Sequence, residues 1–220
     1  MKKFLNIRNV LIVLIVLIAI VYIIFIRSKN ANNSKTSNLF YELINKDVVT
    51  MNINFKENDK QGRMIFSTNK NSNKACQIIE LYDYSNQAEE IKATHIKNIT
   101  IRENKKLHTY QLNYDLNTYT DFGEVTDNSD ITDWIENLNR IVSESKYYTK
   151  SYKIINNTKL FNEKFPEQGY EFYYDGNELK YIKQKDGISG DEKTLYEIQI
   201  SSTFIDESLL QIPDKFTLNN

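Results

Sequence analysis

The residues of this chain that could do chemistry are few and widely separated. Its two histidines, His95 and His108, and its single cysteine, Cys76, all fall in segments with a strand pattern. A metal site needs three or four ligands in close array, and these three residues match no known ligand spacing. A Cys–His nucleophile pair would need the two side chains to meet in space, which the spacing does not establish. The sequence therefore predicts no metal, no other cofactor and no nucleophilic site.

Two groups of acidic residues could be mistaken for sites. Asp127, Ser129, Asp130 and Asp133 resemble a calcium loop, but the glycine and the final glutamate of such a loop are missing. They precede a helical pattern, where the helix dipole favours anions. A second group could imitate the paired carboxylates of a glycosidase but flanks a hairpin turn, where acids are ordinarily solvated: Glu171, Asp175, Glu178 and Asp186. With no phosphate loop and no GxSxG elbow either, we do not expect an enzyme.

Aromatic residues are the remaining candidates, and they crowd the C-terminal third. The chain has 15 Tyr and 11 Phe, and residues 170–174 are aromatic on both faces of a predicted strand. One interpretation is that these rings pack a curved sheet against a helix. The other is a cleft or an exposed recognition face, since Tyr offers apolar area with a polar tip. The candidate residues of that face are Trp134, Leu138, Ile141, Phe172, Tyr173, Tyr174 and Tyr181.

The elements that would position these residues follow from hydrophobic periodicity. Residues 49–56 alternate apolar and polar side chains, which is typical of a half-buried strand. Further strands are predicted over residues 63–68, 75–84, 91–102, 106–114, 147–155, 170–174, 179–183 and 195–204. A short helix is predicted over residues 39–48. A longer one has a single buried stripe formed by Ile131, Trp134, Ile135, Leu138, Ile141 and Val142.

An apolar run at residues 10–26 precedes all of these elements. At about 1.5 Å per residue it would be about 26 Å long, which is enough to cross a bilayer core. No small-x-small cleavage site follows it, so we expect an uncleaved signal anchor. Its representative residues are Val10, Leu14, Ile18, Tyr22 and Phe25. The predicted organisation is a cytoplasmic basic tail (1–9), a transmembrane anchor (10–26), a flexible linker (27–38) and one extracytoplasmic domain (39–218).

Composition agrees with one β-rich domain that does not bind nucleic acid. Lys and Arg number 28 against 29 Asp and Glu, and the charges are dispersed, so there is no basic stripe that could neutralise phosphates. The order of helix, strands, long helix and more strands predicts the α+β class. The expected architecture is an N-terminal transmembrane helix followed by a curved antiparallel sheet, an incomplete barrel, with helices packed on one face.

This element order resembles the LolA/LppX-like proteins, which are incomplete β-barrels closed on one side by helices. The C-terminal stretches YYTKSYKI, LFNEKFPEQGYEFYYDGNELKYIK, TLYEIQI and DESLLQIPDKF look most like GerS-type germination lipoproteins of spore-forming bacteria. That resemblance implies a non-catalytic, membrane-held protein that binds a spore cortex N-acetylmuramoyl-L-alanine amidase and supports germination. A GerS lipoprotein carries a lipid-modified Cys after its signal sequence, whereas this chain has only Cys76.

Two functional hypotheses follow. The first is a protein-binding module at the cell membrane, or in the forespore or spore envelope, that docks onto a cell-wall enzyme. The second is a carrier that holds an acyl chain in the hollow of the half-barrel. It predicts an apolar cavity beneath the helix at residues 131–142, lined by aliphatic groups.

Overall fold

The structure, a computed structural model, describes residues 34–57, 60–83, 86–87, 90–91, 94–126, 133–185 and 193–219. Two α-helices lie within these ranges, α1 (Lys35–Asn45) and α2 (Asp133–Ser143), each 11 residues long. A 3-10 helix (Glu207–Leu210) follows near the end of the chain. The rest of the regular structure is β-strand.

Fourteen strands are present in the described ranges. They are β1 (Val48–Glu57), β2 (Lys60–Asn69), β3 (Lys74–Asp83), β4 (Asn86–Gln87), β5 (Glu90–Ile91), β6 (Thr94–Glu103), β7 (Lys106–Asn113), β8 (Thr118–Thr126), β9 (Thr149–Ile155), β10 (Thr158–Phe165), β11 (Tyr170–Asp175), β12 (Glu178–Lys185), β13 (Lys193–Ser201) and β14 (Thr217–Leu218).

Twelve of these strands form a single sheet. Its order is β14-β8-β7-β6-β3-β2-β1-β13-β12-β11-β10-β9, and β4 and β5 pair separately. Every neighbouring pair is antiparallel except β14 with β8. In one half β1, β2, β3, β6, β7 and β8 pair in chain order, with β14 added beside β8, and in the other half β9 to β13 pair in chain order. The two halves join where β1 pairs with β13, Ile53 lying opposite Ile198. One long-range pairing therefore unites two meanders.

Each end of the sheet buries a different face. Successive side chains of a strand point to opposite faces, so in β2 Met64 and Phe66 face one way and Ile65 and Ser67 the other. Met64 and Phe66 pack against the first hydrophobic core, while Ile65 belongs to the second. The two cores thus lie on opposite faces of the sheet and share strand β2.

Both helices cover the first core. Phe40 and Leu43 of α1 and Ile135 and Val142 of α2 are buried there. The strand residues that they meet are Val49, Met51, Ile53, Phe165, Phe172, Tyr174, Leu179, Ile182 and Ile198. This arrangement follows from the apolar stripe of each helix, which must be buried against the apolar face of the sheet.

The second core is covered by the C-terminal segment, residues 204–219. Ile205, Leu210 and Phe216 pack there against Ile65, Cys76, Ile78, Ile99 and Leu112 of the sheet. Two hydrogen bonds hold this segment against the sheet. The Ile205 amide donates to Ser67 Oγ at 3.1 Å, and Lys97 Nζ donates to the Leu209 carbonyl at 2.8 Å. Burial lowers the pKa of Lys97.

The predicted α+β class is wrong for this chain. The described residues form a mainly β structure, one open twelve-stranded sheet with two short helices. The predicted anchor at residues 10–26 lies outside the described residues. Among those that are described, no helix is long and apolar enough to cross a membrane. Neither the predicted transmembrane helix nor the predicted signal anchor therefore belongs to the fold of the described residues.

Several predicted boundaries also differ. Helix α1 begins at Lys35, inside the expected linker 27–38, because Ser34 caps it: the Ser34 hydroxyl accepts the Ser37 amide at 2.9 Å. Strands β8 and β10 were not predicted. The predicted hairpin between the strands over residues 170–174 and 179–183 is confirmed by the pairing of β11 with β12, and Gly176 in its turn has a φ of 52°.

Candidate functional site

An apolar pocket of about 340 Å³ lies between α2 and the sheet. From the sheet it is lined by Ile53, Met64, Phe66, Tyr170, Ile182, Gln184, Tyr196 and Ile198, and from the helix by Asn137, Leu138 and Ile141. Ile53, Ile182 and Ile198 are buried, and most of the other apolar members are half-buried. The pocket is therefore a recess at the margin of the first core.

Strand register brings the floor of the pocket together. Met64 pairs with Ile53 and Ile53 pairs with Ile198, which places three apolar side chains in one row across β2, β1 and β13. Ile182 pairs with Tyr196 in the adjoining row. These residues share a face because the period of a strand is two. The floor is assembled from segments that are far apart in the chain.

Helix α2 forms the wall opposite this floor. Leu138 and Ile141 are three residues apart and so lie on the same side of the helix. Ile135 and Val142 are fully buried and fix the helix on the sheet, whereas Leu138 and Ile141 are only half-buried. Ile135 and Val142 thus hold the helix on the sheet, while Leu138 and Ile141 border the space beneath it.

The pocket carries no charge, because none of the described residues that line it is ionised at neutral pH. Its polar groups are the amides of Asn137 and Gln184 and the hydroxyls of Tyr170 and Tyr196. Burial raises the pKa of Tyr170, so that hydroxyl stays protonated. Asn137 is exposed, so the pocket reaches solvent on its side.

The predicted recognition face is divided among several places. Leu138 and Ile141 line the pocket, Phe172 lies in the first core, and Trp134 lies in α2. Tyr174 is buried and donates to Thr36 Oγ1 at 2.8 Å; burial raises its pKa. Tyr173 and Tyr181 lie on the opposite face of the sheet, where they pair across β11 and β12. The predicted anchor residues, Val10, Leu14, Ile18, Tyr22 and Phe25, lie outside the described residues.

Tyr173 belongs to a buried polar cluster around Glu171. Its hydroxyl donates to Glu171 Oε2 at 2.5 Å, and burial together with this bond raises the pKa of Tyr173. Lys153 and Lys164 place their Nζ atoms 3.4 and 3.6 Å from the same carboxylate. Glu171 is 2 % exposed. A carboxylate held in this way stabilises the sheet rather than acting on a substrate, and Asp175 and Glu178 are exposed in the following turn.

A polar groove of about 520 Å³ lies on the face that bears Tyr181. Two of its four charged residues contact neighbours: Arg63 donates to Asn52 Oδ1 at 3.1 Å, and Glu80 lies 2.7 Å from His95 Nε2. A Cβ at Gly62 would lie 2.4 Å from Phe55 Cζ and 2.9 Å from the Glu80 carbonyl oxygen, so a larger residue there would require both the ring and the backbone to shift. The groove is a solvated surface with internal pairing.

The histidines and the cysteine lie apart from the pocket. His95 stacks between Tyr82 and Tyr114, and His108 Nε2 lies 2.7 Å from Asp121 Oδ1. Burial raises the pKa of the Cys76 thiol to about 12. Across the described part of the chain, no three His, Cys, Asp or Glu residues come together as a metal site would require.

Most of the pocket floor was not among the predicted site residues. Alternation in residues 49–56 indicated that Ile53 faces a core, and Tyr196 and Ile198 share a face of the last predicted strand. These patterns do not reveal that β1 pairs with β13, and only that pairing places Ile53 beside Ile198.

Comparisons with known proteins assign no family. No protein-family model and no curated protein matches the chain. A similar solved structure is the crystal structure of an uncharacterized conserved protein from Thermus thermophilus, with a TM-score of 0.41 and 9 % sequence identity, covering 83 % of this chain and 96 % of that chain. The LolA-like and GerS-like resemblance stays a prediction.

Proposed function

We propose that this chain is a non-catalytic binding protein that holds one neutral acyl chain between α2 and the sheet. One observation carries the proposal: the side chains leave an apolar space of about 340 Å³ unfilled. Ligand pockets typically span about 300–1,000 Å³ and are lined mainly by apolar groups with a few polar ones. An acyl chain would remove the half-buried faces of Leu138, Ile141 and Met64 from water.

The lining also selects the head group of the ligand. Burying a carboxylate without a partner costs several kcal/mol, and no lysine or arginine lines this pocket in the described part of the chain. The amides of Asn137 and Gln184 can instead hydrogen-bond to an ester or a hydroxyl group. The ligand class that fits is therefore an acyl ester, such as a monoacylglycerol, rather than a free fatty acid anion.

Calorimetric titration of the delipidated full-length protein with dodecanoylglycerol tests this proposal. We expect one molecule to bind per chain, with a negative heat-capacity change because apolar surface is buried. Dodecanoate should bind at least about tenfold more weakly, which is a difference of about 1.4 kcal/mol.

Substitutions that fill the pocket provide the control. Leu138→Trp should abolish binding, and Ile141→Phe, a milder change on the same helix, should weaken it. Leu81→Trp is the matched control, because Leu81 is 41 % exposed on the same sheet face outside the pocket. Binding that survives in a folded Leu138→Trp protein would refute the proposal.

A second candidate function is docking onto a cell-envelope enzyme such as an N-acetylmuramoyl-L-alanine amidase. The observation that favours it is the exposed strand β9, where Tyr152 and Ile154 are 66 % and 75 % exposed. Large exposed apolar groups on a strand are typical of protein-interaction surfaces. In this second candidate function, the domain would act in the cell envelope and would support germination.

Co-elution of the full-length protein with a purified amidase from the same organism tests the second candidate. We expect a stable complex that withstands gel filtration. Two separate peaks at micromolar concentrations would contradict docking onto that enzyme, while leaving the acyl-chain proposal untouched.

A further inference from the structure

Strand β9 is an open edge of the twelve-stranded sheet. It pairs with β10 on one side, and no other strand of the described chain pairs on its other side. At the opposite end of the sheet, β14 covers β8. A strand of seven residues without a proline or a bulge presents a row of unpaired backbone donors and acceptors. Such an edge can accept one more strand.

The side chains of this edge are apolar and basic. Tyr152 and Ile154 project from one face and, among the described residues, are the most exposed large hydrophobic residues of the sheet strands. Lys159 Nζ lies 5.0 Å above the Tyr152 ring. Residues 146–165 contain five lysines and one acidic residue, Glu163, in a chain whose formal net charge is −1. The edge therefore carries a local positive charge that the chain as a whole does not share.

The neighbouring carboxylates, Glu163 and Glu171, offset only two of the five lysine charges. Glu163 and Glu171 are 0 % and 2 % exposed, and both are committed to shorter hydrogen bonds within the fold. Lys150 and Lys153, which lie 3.9 and 3.4 Å from them, remain nearly half exposed. Their ammonium groups thus face solvent beside the open backbone.

We infer that β9 binds an extended, acidic segment of a partner protein as an additional strand of the sheet. Backbone hydrogen bonds to an added strand give affinity, and alternate side chains give specificity. A second copy of this chain is disfavoured, because two paired β9 strands would bring four lysines into one ladder, and like charges opposite each other are destabilising. Lys150 and Lys153 are three residues apart and so lie on opposite faces of β9. A segment that alternates acidic and apolar residues can place an acid opposite Lys153 and apolar side chains opposite Tyr152 and Ile154. This inference specifies the docking surface of the second candidate function and does not depend on the apolar pocket.

Two blocked octapeptides test the inference on the full-length protein, one alternating Glu with Val and the other alternating Lys with Val. We expect the Glu peptide to bind saturably in fluorescence anisotropy, and more weakly as salt screens the charges. It should also slow amide hydrogen exchange at Thr149–Ile155 and leave β14 unchanged. The Lys peptide should not bind.

Ile154→Glu is the informative variant, since its side chain is exposed and its loss should not unfold the protein. It should weaken binding of the Glu peptide about tenfold, because the apolar contact at Ile154 is lost and a charge of the peptide's own sign is added at the edge. Leu116→Glu is the matched control, because Leu116 is 69 % exposed in the turn between β7 and β8. Circular dichroism of both variants verifies the fold.

Two results with the peptides would overturn the inference: equal binding of both peptides, or unchanged hydrogen exchange at β9. Two other results would point to a different occupant of this edge and would also overturn it. One is concentration-dependent self-association that Ile154→Glu abolishes, and the other is Ile154-dependent binding to phosphatidylglycerol vesicles with no peptide binding. Peptide binding without an amidase complex would support this surface and remove only the second candidate function. An amidase complex that Ile154→Glu leaves intact, with no peptide binding, would support the second candidate function and refute the role inferred for β9.

Discussion

Glu163 links the N-terminus of α1 to the sheet. It is fully buried in β10, and its Oε1 accepts the Lys35 amide at 3.0 Å while its Oε2 accepts the Thr36 amide and hydroxyl at 2.9 and 2.8 Å. A carboxylate satisfies donors at a helix N-terminus and interacts favourably with the dipole. One buried side chain thus positions the helix that covers the first core.

Glu163→Gln should lower the free energy of unfolding by about 2–3 kcal/mol. The glutamine NH₂ group would face the Lys35 or Thr36 donors instead of accepting from them, and the negative charge would be lost. Urea unfolding followed by circular dichroism measures the change. Glu167→Gln is the matched control: Glu167 is exposed and accepts only the Lys146 amide, at 3.0 Å, among the bonds described for it. Equal effects of the two substitutions would contradict the role given to Glu163.

Cys76 gives a residue-scale prediction with a pH dependence. Burial raises the pKa of its thiol to about 12, so the reactive thiolate is scarce in the folded chain at any pH below about 11. Alkylation of the native protein should therefore stay slow from pH 7 to 9. The unfolded chain should react faster and accelerate through its ordinary pKa of about 8.5. Because Cys76 is the only cysteine, iodoacetamide labelling and mass spectrometry report it alone. Rapid labelling of the native chain would contradict its burial.

At the scale of elements, hydrophobic alternation and helical stripes predicted the strands and helices whose buried positions are occupied by apolar residues. Strand β1 alternates Val49, Met51 and Ile53 with polar residues, and its extent was predicted almost correctly. Strand β10 was missed because its buried positions include Asn162 and Glu163, which only distant partners satisfy. Strand β8 was missed because most of its side chains are exposed, so it shows no clear alternation.

The candidate site was predictable only on its helical side. The stripe of α2 singled out Leu138 and Ile141, since periodicity is a local property. The floor depends on the register of β1 with β13, whose residues lie far apart in the chain. The fold class was wrong for a related reason: the sheet extends across strands that periodicity did not reveal, while the helices stay short.

The C-terminal segment supplies the prediction at this scale. Phe216 is 7 % exposed and packs edge-on against Tyr114, with ring centroids 5.0 Å apart, whereas Leu218 is 52 % exposed. Phe216→Ala should cost about 3 kcal/mol of unfolding free energy through the cavity it leaves. Leu218→Ala, in the same segment, should stay within about 0.5 kcal/mol. Urea unfolding measures both, and a small effect of Phe216→Ala would mean that the segment does not close the second core.

Over the whole molecule, two cores on opposite faces of one sheet raise the question of whether they unfold together. Strands β1, β2, β3 and β6 are joined by ladders of ten paired positions each, from β1 to β2, β2 to β3 and β3 to β6. Strand β2 gives Phe66 to the first core and Ile65 to the second. Because one strand cannot leave the sheet without exposing both, we expect a single cooperative transition.

Val142→Ala tests this coupling across the molecule. Val142 is fully buried in the first core, and its truncation should cost about 2 kcal/mol. Cys76 lies in the second core, so pulse alkylation of its thiol along a urea gradient reports that core alone. If the cores are coupled, the midpoint for Cys76 exposure falls together with the midpoint for circular dichroism. Tyr41→Ala, at a residue 66 % exposed on α1, should move neither midpoint. A Cys76 midpoint that stays in place while the dichroism midpoint falls would mean two independent units, and an acyl chain bound beneath α2 would then stabilise only the first.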